Sequence, residues 1–209
     1  MTFWKDLIVL ASDGQMEAGL RSLLKNRAKA LGVRPISFDT RAHGEHDPGC
    51  WKRGDTFLQS FAKQYAHGLV VFDHEGSGQE RVPIPELERL LGARLAERGW
   101  GDRAAVVVIE PELEAWVWTD SPKLEHVLGW RDHQPRLRSW LGSRGLWNAG
   151  DIKPSDPKNA LEAALAEVQR PRSASIYDAI GSSVGLASCV DPAFIRLKTV
   201  LQSWFPLEG

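Results

Sequence analysis

The chain has 209 residues, a mass of 23.3 kDa, 43% hydrophobic and 25% charged residues, and a formal net charge of -1. This length and composition predict a globular chain with one buried core, forming one domain or one domain with a small appendage. The near-neutral charge excludes a polybasic protein that holds nucleic acid through bulk charge, although it does not exclude a local basic groove.

The cysteine content and the apolar pattern favour the cytoplasm. Cys50 and Cys189 are too few for a disulfide framework or for a cysteine-rich zinc site. No apolar run reaches the roughly 20 residues that span a bilayer, and the N-terminal residues lack a signal-peptide pattern. We therefore expect a cytoplasmic protein with no membrane partner.

The first half of the chain alternates between short β-rich runs and helical patterns. Three of the runs are almost continuously apolar, which is typical of strands covered by helices on both faces, and the second contains Pro35, which suits an edge strand. The order predicts an α/β fold, with a Rossmann-like, mostly parallel sheet of about four strands flanked by helices. The predicted strands are residues 7–11, 34–38, 68–72 and 104–109, and the predicted helices are residues 16–31, 51–65 and 85–98.

The second half is predicted to be helical. Pro111 suits the first position of a helix that follows the last strand, and an alanine-rich run over residues 160–168 predicts another. We therefore divide the chain into an α/β domain over residues 1–118 and a helical C-terminal subdomain over residues 119–209 that packs on it.

An acidic residue follows each predicted strand. Ligands of parallel sheets bind outside the carboxyl ends of the strands, so several of these acids are expected to converge there. Clustered carboxylates repel one another, and a hard cation such as Mg²⁺ or Mn²⁺ would neutralise them. The four acids are Asp13, Asp39, Asp73 and Glu110.

Two of these positions carry further acids. Asp73 and Glu75 share one side of an extended segment and precede a flexible Gly-Ser-Gly turn. If a helix begins at Pro111, Glu110 and Glu114 lie one turn apart on one face, and Glu112 points elsewhere. Asp73, Glu75, Glu110 and Glu114 are therefore the candidate metal ligands.

The basic candidates lie in the helical half. Lys153, Lys158 and Arg172 could fold over the acidic site and stabilise charge on a phosphate. Arg136 and Arg138, in a segment rich in arginine and tryptophan, form a candidate face for nucleic acid or a partner protein. The alternative for the arginines is a solvated helix face, and for the tryptophans it is packing in the core.

With these motifs in order, the chain resembles the TOPRIM fold, and within it a small prokaryotic TOPRIM-like family found beside phage-defence genes. Residues 11–17 resemble the family's E-G-x-x-E turn, with Asp13 and Glu17 at its acidic positions, and Asp73-His74-Glu75 resembles its Asp-x-Asp motif. The E-x-E-x-W, D-P-K and W-F-P segments of the family are matched by residues 112–116, 156–158 and 204–206.

The resemblance implies a Mg²⁺-dependent nuclease of an antiviral defence system, acting on DNA more than on RNA. Asp13 and Glu17 would be its catalytic residues, and Asp73 and Glu75 would hold the metal. Asp13 is shorter than the family's glutamate and Glu75 is longer than its aspartate. Two alternatives therefore stay open: a catalytically degenerate scaffold that binds defence proteins, and a phosphohydrolase of free nucleotides.

Overall fold

The computed structural model describes residues 3–118, 121–183 and 189–207, and its centre is a parallel β-sheet with helices on both faces. The strand order is β2-β1-β3-β4, and every pair is parallel. The predicted α/β class and four-stranded parallel sheet are therefore confirmed. The strands are β1 Lys5–Ala11, β2 Phe38–Ala42, β3 Tyr65–Asp73 and β4 Ala104–Ile109.

Helices follow each of the four strands, and they account for most of the chain after β4. A π-helical turn, Ala96–Trp100, and a 3-10 turn, Leu113–Trp116, flank the last strand. The α-helices of the described residues are α1 Gly14–Asn26, α2 Ala28–Leu31, α3 His46–Gln59, α4 Ile84–Leu95, α5 Pro122–Leu128, α6 Leu137–Ser143, α7 Pro157–Glu167, α8 Ala174–Ser183 and α9 Pro192–Trp204.

Each face of the sheet has its own apolar core. Successive strand residues point to opposite faces, so Leu7 and Val9 belong to one core while Ile8 and Leu10 belong to the other. The first core contains side chains of α1 and of the C-terminal helices, and the second contains side chains of α3 and α4. Burial on both faces explains why three of the four strands are continuous apolar runs.

This arrangement creates a topological switch point between β1 and β3. The helix that follows β1 packs on the first core, whereas the helix that follows β3 packs on the second. The two chain segments therefore diverge at the carboxyl ends of neighbouring strands and leave a crevice between them. Ligands of open α/β sheets bind in such a crevice.

The second strand lies four residues later than its predicted start at residue 34. Residues 38–42 pair with residues 7–11, while the preceding segment bonds elsewhere: Arg34 N donates to Phe205 O at 3.1 Å. Asp39 consequently lies inside β2 and not after it. Its carboxylate accepts a 2.7 Å bond from Lys5 Nζ and a hydrogen bond from the Tyr65 hydroxyl, at the amino ends of β1 and β3. Asp39 is therefore remote from the switch point.

The predicted helix at Pro111 is also wrong. The backbone after β4 stays alongside the end of β3, because His74 N donates to Ile109 O at 2.8 Å and Glu75 N donates to Pro111 O at 3.0 Å. Held in this extended course, the chain forms only the short 3-10 turn before α5. The acids of this segment therefore point in directions that helical spacing does not predict.

The helices after residue 121 share a core with the sheet. Trp118, Leu161, Tyr177 and Phe194 lie in the same cluster as Leu7 and its neighbours. The boundary at 118 and 119 stays a prediction, since residue 119 lies outside the described residues. Within the described ranges, we find no helix with the length and apolar character needed to cross a membrane.

Candidate functional site

A cavity of about 670 Å³ opens at the switch point. The strand-end wall is formed by the carboxyl ends of β1 and β3 and the beginning of α3. The helical wall is formed by the segment after β4, the beginning of α7 and the segment before α8. We call it the acidic cavity, because seven of its lining residues are carboxylates and only two, Lys158 and Arg172, are cations. Its lining is Asp13, Asp47, Asp73, Glu75, Gly76, Pro111, Glu112, Ser155, Asp156, Pro157, Lys158, Asn159, Glu162 and Arg172.

Asp13 caps α1 at the mouth of this cavity. Its Oδ1 accepts hydrogen bonds from Gln15 N at 2.9 Å and from Met16 N at 2.8 Å. Asp13 is thus the N-cap of α1. Both bonds use the same oxygen, so Oδ2 takes no part in the cap, and Asp13 lines the cavity at the positive end of the helix dipole.

Asp73, the last residue of β3, contributes to the cavity a carboxylate oxygen that is unpaired within the described part of the chain. Its Oδ1 is buried and has no hydrogen-bond partner among the described residues. Burial raises the pKa of Asp73 well above its ordinary value, and the neighbouring carboxylates of Asp47, Glu114 and Glu112 raise it further. A buried, unpaired carboxylate is costly, and a bound cation would remove that cost.

Asp47 is a member of this site that sequence reasoning missed. It lies in the first turn of α3, and its Oδ1 accepts a 2.8 Å hydrogen bond from Asp73 N. The predicted position of the second strand concealed it: because β2 ends at Ala42 and α3 begins at His46, Asp47 lies just beyond the carboxyl end of a strand.

Glu75 lies at the exposed rim of the cavity, two residues beyond Asp73. The turn that follows is fixed by Ser77, whose Oγ donates to His74 O at 2.7 Å and accepts from Gln79 N at 3.1 Å. Gly76 has a φ of 81°, in the left-handed region that favours glycine. The Gly-Ser-Gly segment therefore forms an ordered turn, and Glu75 borders the same space as Asp73.

Glu112 lines the opposite wall, although the helical interpretation pointed it elsewhere. Its carboxylate accepts from the backbone N of Lys158 at 3.1 Å and lies 3.4 Å from Lys158 Nζ. Burial raises the pKa of Glu112, and nearby Glu114 adds to the rise. Burial alone would lower the pKa of Lys158, but the Glu112 carboxylate beside it raises it.

Glu114 lies behind this wall, where its carboxylate contacts Arg172 and Tyr177. It is 1% exposed, its Oε1 lies 2.6 Å from Arg172 Nη2, and the Tyr177 hydroxyl donates a short hydrogen bond to it. Arg172 Nε also donates to Tyr177 Oη at 2.7 Å, and its Nη1 lies 3.2 Å from Glu162 Oε1. The predicted metal ligand Glu114 therefore holds the guanidinium that lines the cavity.

Two other predicted acids lie outside the cavity. Glu17, one turn into α1, accepts a 2.8 Å hydrogen bond from Thr40 Oγ1 on β2. The Glu110 side chain is 70% exposed and lies 3.8 Å from His74 Nδ1. It borders a separate cavity of about 230 Å³ beside α9. Glu110 and Glu114 thus do not share a face, because no helix begins at Pro111.

The basic candidates are divided in the same way. Lys158 and Arg172 line the acidic cavity, whereas Lys153 Nζ binds the buried Asp191 carboxylate at 2.9 Å. Arg136 pairs with Glu125 at 2.8 Å. Arg138 stacks on the buried Trp147, with its Cζ 4.2 Å from the ring centre. The tryptophans of this segment pack in the core, and Arg144 stacks on Trp140 in the same way.

The cavity's donor set suits a hard divalent cation. Its lining acids offer carboxylate oxygens, and the orphaned Asp73 Oδ1 is an acceptor without a donor. Among residues 3–118, 121–183 and 189–207, no three His, Cys, Asp or Glu side chains stand close enough together to hold a metal by themselves. Magnesium sites commonly use one or two carboxylates and complete their coordination with water and substrate phosphates.

Comparisons of the chain with protein-family models, with curated proteins and with solved structures found no match.

Proposed function

We propose that the chain is a divalent-metal-dependent phosphodiesterase that acts on nucleic acid. The observation that carries this proposal is the buried Asp73 carboxylate, unpaired among the described residues, in a cavity that also presents Lys158 and Arg172. A cation would neutralise the acids of one wall, and phosphate oxygens bound to that cation would face Lys158 and Arg172 on the other. The preference for DNA and the setting in antiviral defence come from the TOPRIM-like resemblance.

The two walls would have different roles. Asp73 and Glu75 would hold Mg²⁺ or Mn²⁺ together with water and phosphate oxygens, and Asp47 would fix the Asp73 backbone through its 2.8 Å hydrogen bond. The cation would supply charge neutralisation of the phosphate and a lowered pKa of bound water. Lys158 is held loosely and would bind a phosphate oxygen directly. Arg172, fixed by Glu114 and Tyr177, would stabilise charge that develops on the phosphate. Asp13 Oδ2 would accept or return a proton.

The experiment is cleavage of labelled single- and double-stranded DNA with Mg²⁺ or Mn²⁺. We expect wild type to cleave, and Asp73→Asn to lose at least about 100-fold in rate, since displaced or missing catalytic contacts cost this much. Glu110→Gln is the matched control, because it removes an acid from the same sheet edge but outside the cavity. Equal cleavage by wild type and Asp73→Asn would contradict the proposal.

A second candidate function is a non-catalytic scaffold that binds partner defence proteins. The observation in its favour is that both acids matching the family's first motif have structural bonds: Asp13 caps α1, and Glu17 binds Thr40. Metal binding without cleavage of any polynucleotide or nucleotide would select this reading. Hydrolysis of free nucleotides but not of polymers would select the phosphohydrolase.

A further inference from the structure

A second cavity, of about 480 Å³, lies where α5 meets the end of α8. We call it the basic pocket. Three of its lining residues, Lys123, His126 and Arg131, have no carboxylate partner among the residues that the structure describes. Its full lining is Lys123, Glu125, His126, Val127, Arg131, Arg136 and Ser183.

The acid of the basic pocket is already neutralised. Arg136 clamps Glu125 through two contacts, Nε to Oε1 at 3.1 Å and Nη2 to Oε2 at 2.8 Å. Glu125 Oε1 also accepts from Leu137 N at 3.2 Å. The charges of Lys123 and Arg131 therefore stay unbalanced within the pocket, which suits an anionic ligand.

The segment between α7 and α8 connects the basic pocket to the acidic cavity. Arg170 Nη1 donates to Val127 O at 2.6 Å, and its side chain lies against Gly129, so Arg170 adjoins the basic pocket. Arg172, two residues further, lines the acidic cavity. Two residues span at most about 7 Å of extended chain. Arg170 and Arg172 therefore place positive charge between the basic pocket and the acidic cavity.

We infer that a polynucleotide strand runs from the acidic cavity past Arg170 into the basic pocket, where Lys123 and Arg131 bind its phosphates. This inference rests on the proposed function and names its substrate class: a strand spans both cavities, whereas a single nucleotide's phosphate occupies one. Arginine and lysine recognise phosphate by charge-assisted hydrogen bonds. Contacts of this kind position a strand without reading its sequence.

The test is the fluorescence anisotropy of a labelled 12-nucleotide single strand, measured in EDTA over a series of salt concentrations. Each phosphate contact contributes about 0.7 to the slope of log affinity against log salt. Neutralising both cations in Lys123→Gln/Arg131→Gln should flatten that slope by about 1.4. Losing these two phosphate contacts corresponds to about 25-fold weaker binding at 0.1 M salt.

Lys52→Gln/Lys63→Gln is the matched control, since it removes two exposed charges on and just after α3, across the sheet. It should bind within about 2-fold of wild type, because surface charges away from the strand make no phosphate contact. Equal binding by the two double variants, or no binding by wild type, would overturn the inference. An acidic protein captured in place of DNA would overturn it too.

Working in EDTA separates this inference from the proposed catalysis. If a strand binds through Lys123 and Arg131 but is not cleaved with Mg²⁺, binding of the strand in the basic pocket is supported and the phosphodiesterase activity is contradicted. If Lys123→Gln/Arg131→Gln cleaves the strand with the wild-type KM, the phosphodiesterase is supported and binding of the strand in the basic pocket is contradicted.

Discussion

The two walls of the acidic cavity are both rich in carboxylates, yet they differ in how those carboxylates are neutralised. On the helical wall, Glu112 faces Lys158 and Glu114 faces Arg172. On the strand-end wall, Asp73 has a buried oxygen with no partner among the described residues, and its nearest neighbours are other acids. The paired wall has the chemistry of a structural ion-pair network, and the unpaired wall has that of a ligand site.

The largest expected effect on stability comes from a substitution on the helical wall. Glu114→Gln removes the buried carboxylate that compensates half-buried Arg172, so we expect the free energy of unfolding to fall by about 3 kcal/mol. For a chain of this size that corresponds to a melting temperature lower by about 6–12 °C. Thermal denaturation followed by circular dichroism measures it.

Glu162→Gln is the control for this change, since Glu162 contacts the same arginine but is 52% exposed. It should alter stability by less than about 1 kcal/mol, because exposed pairs contribute little. Similar losses in both variants would mean that Glu114 is not the residue that holds Arg172.

On the strand-end wall, we expect removal of a carboxylate charge to raise the free energy of unfolding. Asp73→Asn should raise the free energy of unfolding of the metal-free protein by on the order of 1–3 kcal/mol at neutral pH, because it removes an unsatisfied buried charge. Glu75→Gln, at the exposed rim, should leave stability within about 0.5 kcal/mol. Urea denaturation in EDTA measures both.

The pH dependence of this gain follows from the raised pKa of Asp73. Above the ordinary carboxyl pKa of 3.8, the unfolded chain has released its proton while the folded chain still holds it. Wild-type stability therefore falls as pH rises through this window, and the fall ends above the folded pKa. The advantage of Asp73→Asn should be absent below pH 3.8 and grow as pH rises. If the stability difference between Asp73→Asn and wild type stays constant or shrinks as pH rises, the raised pKa of Asp73 is contradicted.

The fold could be predicted from local patterns, whereas the site could be predicted only in part. Continuous apolar runs identified β1, β3 and β4 because burial on both faces leaves that signature. Asp73 and Glu75 followed directly, since they continue a well-predicted strand. Lys158 and Arg172 were rightly expected near the acids, but no pattern within either segment sets their distance from the strands.

Each failure has a non-local cause. The segment around Pro35 bonds with the C-terminal residues, so β2 begins later, and that shift concealed Asp47. The course of residues 109–111 is held by the turn after β3, so helical spacing misassigned Glu110 and Glu112. Asp191, the partner of Lys153, is likewise distant in sequence, and Glu125, the partner of Arg136, lies in the preceding helix.

The most direct test of the central claim is a calorimetric titration of Mn²⁺ and of Mg²⁺ into metal-free wild type, Asp73→Asn and Glu110→Gln. The account predicts saturable binding in wild type and Glu110→Gln, and its loss in Asp73→Asn, although that variant is the more stable protein. Identical isotherms for wild type and Asp73→Asn would contradict the account, because the unpaired carboxylate would then have no part in holding a cation.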